Sequence, residues 1–72
     1  MENKEEFFIY IKSEIIKIDT NFSNFYLIGI KDMDSKNYDE SALNNIIYSL
    51  NKLNGTKLPY RKDYNKYIKP FI

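Results

Sequence analysis

The chain has no cysteine, no histidine and no tryptophan, and only two glycines and two prolines in 72 residues. Without cysteine there can be no disulfide staple and no thiolate metal site. Without histidine, imidazole ligation and the usual acid–base group near neutral pH are excluded, along with the Ser-His and Cys-His nucleophilic arrangements. Two glycines cannot form a Gly-rich phosphate loop or a dinucleotide fingerprint. No run approaches the ~20 apolar residues that cross a bilayer, and the opening MENKEEFF is acidic where a signal peptide would be basic. A cytoplasmic protein with no membrane association and no cofactor is the expectation. Asn21-Phe22-Ser23 and Asn54-Gly55-Thr56 match the N-glycosylation pattern but have no function without secretion.

What is present is globular: 43% hydrophobic, 17% aromatic and 29% charged residues, against the polar, aromatic-poor profile of disordered chains. A chain of this length makes one domain and buries only about 60% of its unfolded surface, so its core is small. The net charge of +1 conceals a division. Residues 1–51 carry five lysines against nine carboxylates, and residues 52–72 carry six cations against Asp63 alone. Such asymmetry points either to a basic interacting end or to two halves that attract each other within the fold or across a dimer.

The segment with the most consistent signals is Asp39 to Asn54. Asp39 suits an N-cap, Tyr38 and Leu43 stand where a hydrophobic staple forms, and Gly55 suits the left-handed closing position. Between these caps Leu43, Ile46, Ile47, Leu50 and Leu53 recur at helical spacing, which predicts an amphipathic helix with a core-facing stripe. Asn3 to about Asp19 predicts another helix, with Asn3 and Glu6 placed as a capping box. Phe7, Phe8, Ile11, Ile15 and Ile18 fall within one arc of about 100°. Ile9 and Ile16 lie outside that arc and form a second apolar strip, either covered by another segment or offered as an interface.

Residues 22–33 fit a helix through Phe22, Phe25, Tyr26, Gly29, Ile30 and Met33, with Gly29 permitting close approach of a neighbour. Phe25 to Ile30 fits a buried strand as well, but no partner strand is visible to satisfy its backbone. After Gly55, Pro59 suits a first helical position and Pro70 forbids continuation, which predicts a short last helix from about Pro59 to Lys69. On it Tyr60, Tyr64, Tyr67 and Ile68 face inward and Lys62, Lys66 and Lys69 outward, with Arg61 at the border. Phe71 and Ile72 form an apolar tail that docks on the core or reaches another chain. The fold class expected is therefore mainly α, a single small domain of about four short helices, with α+β as the alternative.

Three constellations bear on chemistry. Ser49-Leu50-Asn51-Lys52 matches the Ser-x-x-Lys spacing of some acyl-transfer enzymes but lacks the accompanying elements, and so small a chain leaves little room for a cleft of ~300 Å³. Asp32 and Asp34 begin like a calcium loop, then the register fails at Lys36, Asn37 and Leu43. The basic face of Arg61, Lys62, Lys66 and Lys69 could neutralise nucleic-acid phosphates, although tyrosines on the opposite face could not stack on the same strand's bases. The leading expectation is a non-enzymatic protein-binding module, an inhibitor or adaptor that occupies a larger protein through Ile9, Ile16 and Tyr48. Homo-oligomerisation is compatible with it, and nucleic-acid binding through the basic face is the alternative.

Overall fold

The computed structural model describes residues 3–18 and 29–71. Of these, 73% are helical and none is in a strand, in four helices. Helix α1 spans Lys4–Lys17. Helix α2 is described over 29–31, and α3 spans Glu40–Asn54. Helix α4 opens as Arg61–Asp63, widens into a π-helical turn over Tyr64–Ile68 and tightens to a 3-10 turn at Lys69–Phe71. Phe22, Phe25, Tyr26 and most of the alternative strand lie outside the described residues, while Gly29 and Ile30 are helical.

Helix α3 is closed by residues adjacent to it. Asp39 Oδ1 accepts from the Ser41 N–H at 3.0 Å, which satisfies one donor of the first turn. The staple residues Tyr38 and Leu43 are both buried in the core. Gly55 adopts φ 67°, where a side chain would be strained, and its N–H reaches Asn51 O at 2.9 Å. Asn51 then ties down the loop that follows. Its Oδ1 accepts from Thr56 Oγ1 (2.8 Å) and Leu58 N (2.9 Å), and its Nδ2 donates to Leu58 O (3.0 Å).

One core joins all four helices: Phe7, Phe8, Ile11 and Ile15 of α1, Ile30 of α2, Leu43, Ile47 and Leu50 of α3, and Tyr64 of α4, with Tyr38 from the connector. Helix α1 is pinned from both sides by buried tyrosines. Tyr38 stacks near Phe8 at 5.2 Å between centroids and donates its hydroxyl to Lys4 O at 2.8 Å. Tyr64 packs against Phe7 (5.4 Å) and Tyr10 (4.8 Å) and donates to Glu6 Oε2 at 2.7 Å. Tilted aromatic pairs at these separations add to burial, and each hydroxyl reaches an acceptor it would otherwise lack inside the protein.

Five expectations are corrected. Asn3 precedes α1 but makes no side-chain cap; its Nδ2 donates instead to Asn65 Oδ1, and Glu6 turns to Tyr64, so the capping box does not form. Leu53 is 57% exposed, because it stands at the edge of the α3 stripe in its last turn, where the chain leaves at Gly55. Pro59 precedes the last helix rather than opening it, since Tyr60 is the N-cap and Arg61 the first helical residue. Tyr67 is 60% exposed rather than inward. In the π turn, Lys69 N–H bonds Tyr64 O, five residues back, so each residue advances through less angle than in an α-helix. Tyr67 therefore falls short of the core side that Tyr64 and Ile68 reach. Finally, among the described residues none packs so closely that it needs Gly29: a Cβ there would meet Ile46 Cδ1 at 3.9 Å, an ordinary contact.

Candidate functional site

The buried residues of α1 leave the other side of the helix to solvent. At 100° per residue, Ile9 and Ile16 point opposite to Phe7, Phe8, Ile11 and Ile15, and they are 56% and 59% exposed. Lys12 and Ser13 stand between them and are exposed too. This face is apolar at its two ends, about 10 Å apart along the helix axis, and polar in the middle. Tyr48 is 56% exposed on α3, with Lys52 Nζ 5.8 Å from its ring centroid. It belongs to a different helix from the α1 strip, and its exposed neighbours are Asn45 and Lys52.

The basic residues of α4 do not act as one strip. Arg61 Nη1 pairs with Glu40 Oε1 of α3 at 2.9 Å. Lys69 Nζ reaches Glu6 Oε1 of α1 at 3.5 Å. Lys66 lies over the ring of its neighbour Tyr67 at 5.2 Å, and Lys62 is exposed. Two of the four cations thus meet carboxylates from the acidic part of the chain, so part of the charge division is internal attraction. Around Glu6 the contacts shift ionisation in both partners. The Tyr64 hydroxyl holds the Glu6 carboxyl below its ordinary value, partial desolvation opposes this, and Lys69 adds to the lowering. Burial pushes the Tyr64 phenol up to about 12, and its bond to the Glu6 carboxylate acts in the same direction.

A second basic grouping was not anticipated from the sequence. Lys4, Lys36, Glu40 and Arg61 line an open depression of about 420 Å³. This exceeds the room expected of so small a chain, because the depression forms on the surface rather than between core layers. Its residues begin three helices: Lys4 is the first residue of α1, Glu40 of α3 and Arg61 of α4, with Lys36 supplied by the connector. The first positions of α1 and α3 were legible from Asn3 and Asp39 before them, but not that of α4, nor the convergence of the three. Ser49 and Lys52 are not among the lining residues.

The acidic connector is occupied in local bonding. Asp34 Oδ1 accepts from Lys36 N at 2.9 Å, Asp39 caps α3 and Glu40 holds Arg61. Among the described residues no three His, Cys, Asp or Glu side chains gather as a metal site would require, and no helix is long and apolar enough to cross a membrane. Compared with protein-family models, with curated proteins and with solved structures, the chain matches none of them.

Proposed function

We propose that this chain is a non-enzymatic protein-binding module that acts in the cytoplasm by occupying a surface of a larger protein, in the manner of a small inhibitor or adaptor. The observation that carries the reading is the pair Ile9 and Ile16, each more than half exposed on the side of α1 opposite the core. Apolar side chains left more than half exposed there keep much of their surface in water, and covering it is the gain a partner offers. Tyr48 adds an exposed aromatic of the type enriched at binding hot spots. Nucleic-acid binding through Arg61, Lys62, Lys66 and Lys69 has less support, since Arg61 and Lys69 are each engaged by a carboxylate of the same chain.

The test is comparative capture from native lysate by tagged wild type and by the variant carrying Ile9→Asp and Ile16→Asp, with and without nuclease. Because both residues are exposed, the variant should keep its circular dichroism spectrum and melting profile. A stoichiometric protein retained by wild type through nuclease treatment and lost by the variant supports the reading. Equal retention by both removes the α1 face from it. Recovery that depends wholly on nucleic acid replaces the reading with the alternative.

A further inference from the structure

We infer that the depression between Lys4, Lys36 and Arg61 is a docking site for an acidic peptide segment of the partner protein, an inference that rests on the protein-binding reading. Among the described residues, the lining side chains bring three positive charges and one negative. Two of the cations stand where a helix disfavours them: Lys4 and Arg61 are each the first residue of their helix, at the positive end of its dipole. Violations of a local preference are expected at functional positions, where something else compensates. For Arg61 the compensation is visible as the Glu40 carboxylate at 2.9 Å. Lys4 has no such carboxylate among the described residues; its ammonium lies 4.7 Å from the centroid of the Tyr38 ring. That ring is itself held by the bond from its hydroxyl to Lys4 O at 2.8 Å. Lys36 is anchored through its backbone N–H to Asp34, while its side chain is exposed.

The class of ligand follows from what the depression already contains and what it lacks. Arg61 is already held by the Glu40 carboxylate, which leaves Lys4 and Lys36 as the cations that an incoming Asp or Glu side chain would meet. A volume of about 420 Å³, open to solvent, is more than one small anion fills and suits a run of side chains passing across it. Among the described residues no aromatic or aliphatic residue lines it, so none of them offers a nucleobase a surface to stack on.

The experiment uses the full chain and measures fluorescence anisotropy with fluorescein-labelled octaglutamate at about 0.15 M ionic strength, beside a labelled oligothymidylate of equal formal charge. Octaglutamate should bind the wild type. Lys4→Gln with Lys36→Gln should weaken that binding by about tenfold, the loss of two partly exposed ion pairs. Lys62→Gln with Lys66→Gln should weaken it less than about twofold, since more distant exposed charges are screened. Should the Lys4 substitution impair folding, Lys36→Glu in the exposed connector carries the test by charge reversal. Equal weakening by both pairs, no binding to wild type, or tighter binding of oligothymidylate overturns the inference. If octaglutamate fails while Ile9→Asp with Ile16→Asp still abolishes partner capture, the depression is rejected and the protein-binding reading stands.

Discussion

The two long helices begin by different means. Helix α3 starts with its own neighbours, Asp39 capping Ser41 N at 3.0 Å and Tyr38 packed into the core beside the first turn. Helix α1 has residues equally suited to a local start, Asn3 and Glu6, yet both side chains leave their helix for α4, Asn3 for Asn65 and Glu6 for Tyr64 and Lys69. Residues suited to capping thus serve a local cap in one helix and a long-range clamp in the other. The difference lies in what stands opposite. Asp39 has its donor two residues on, whereas Asn3 and Glu6 have partners on α4 within reach, and in α3 it is Glu40 rather than the capping residue that reaches α4, through Arg61.

The largest effect should come from breaking the clamp at its buried centre. Tyr64 is 1% exposed, and Tyr64→Ala should cost about 3 to 5 kcal/mol, against a total stability of roughly 4 to 11 kcal/mol for a chain of this size. Tyr64→Phe keeps the ring and removes only the hydroxyl, so it reads the pH dependence of the clamp. The folded-state phenol is raised to about 12 from an ordinary 10.0, so its contribution is fully present below pH 10 and is lost as pH rises toward 12. The Glu6 carboxyl is lowered from 4.5, so its contribution is present above that value and is lost as pH falls through the folded-state pKa. Urea midpoints measured across pH should show both losses in wild type, and both should be smaller in Tyr64→Phe. An unchanged profile would mean the hydroxyl bond is not felt.

On the α3 side the largest local contribution is Asn51, whose amide makes three bonds to Thr56 and Leu58. Asn51→Ala removes all three and regains some helix propensity, for a net loss of about 2 kcal/mol. Asp39→Ala removes one cap and should cost about 1 kcal/mol. If hydrogen exchange is followed, the Asp39 variant should lose protection only in the first turn of α3, while Tyr64→Phe should lose it in both α1 and α4. Loss confined to α4 would show that the two ends are not coupled through Glu6.

How much of this was legible in the sequence follows the same division. The caps of α3 were readable because donor and acceptor are within a few residues, and so were the core arcs of α1 and α3, which repeat at helical spacing. That Ile9 and Ile16 lie outside the core arc, and Tyr48 outside the α3 stripe, was readable for the same reason, but periodicity left open whether another segment covers Ile9 and Ile16, which are more than half exposed. The diversion of Asn3 to a residue 62 positions away was not, because nothing in the local sequence distinguishes an Asn that caps from one that reaches across. The outward turn of Tyr67 was missed because an α-helical period was applied to a π turn. The depression was missed because its residues come from four separate places in the chain, and only the fold sets Lys4 and Lys36 beside Arg61.

The smallest predicted effect is the one that separates cap from clamp most cleanly. Asn3→Ala alone cannot do it, because losing an N-cap and losing a bond to Asn65 each cost on the order of 1 kcal/mol. The cycle with Asn65→Ala can. Asn65 is exposed on α4, and if Asn3 acts on α1 alone, the two losses add. If the side chains hold each other, whichever is removed second costs little, and the double variant is more stable than additivity requires by about 0.5 to 1 kcal/mol. Urea midpoints at constant m-value measure that difference, which should persist at high salt because neither amide is charged. Additive losses would return Asn3 to the role of a helix cap and leave Glu6 as the only first-turn side chain of α1 that reaches α4.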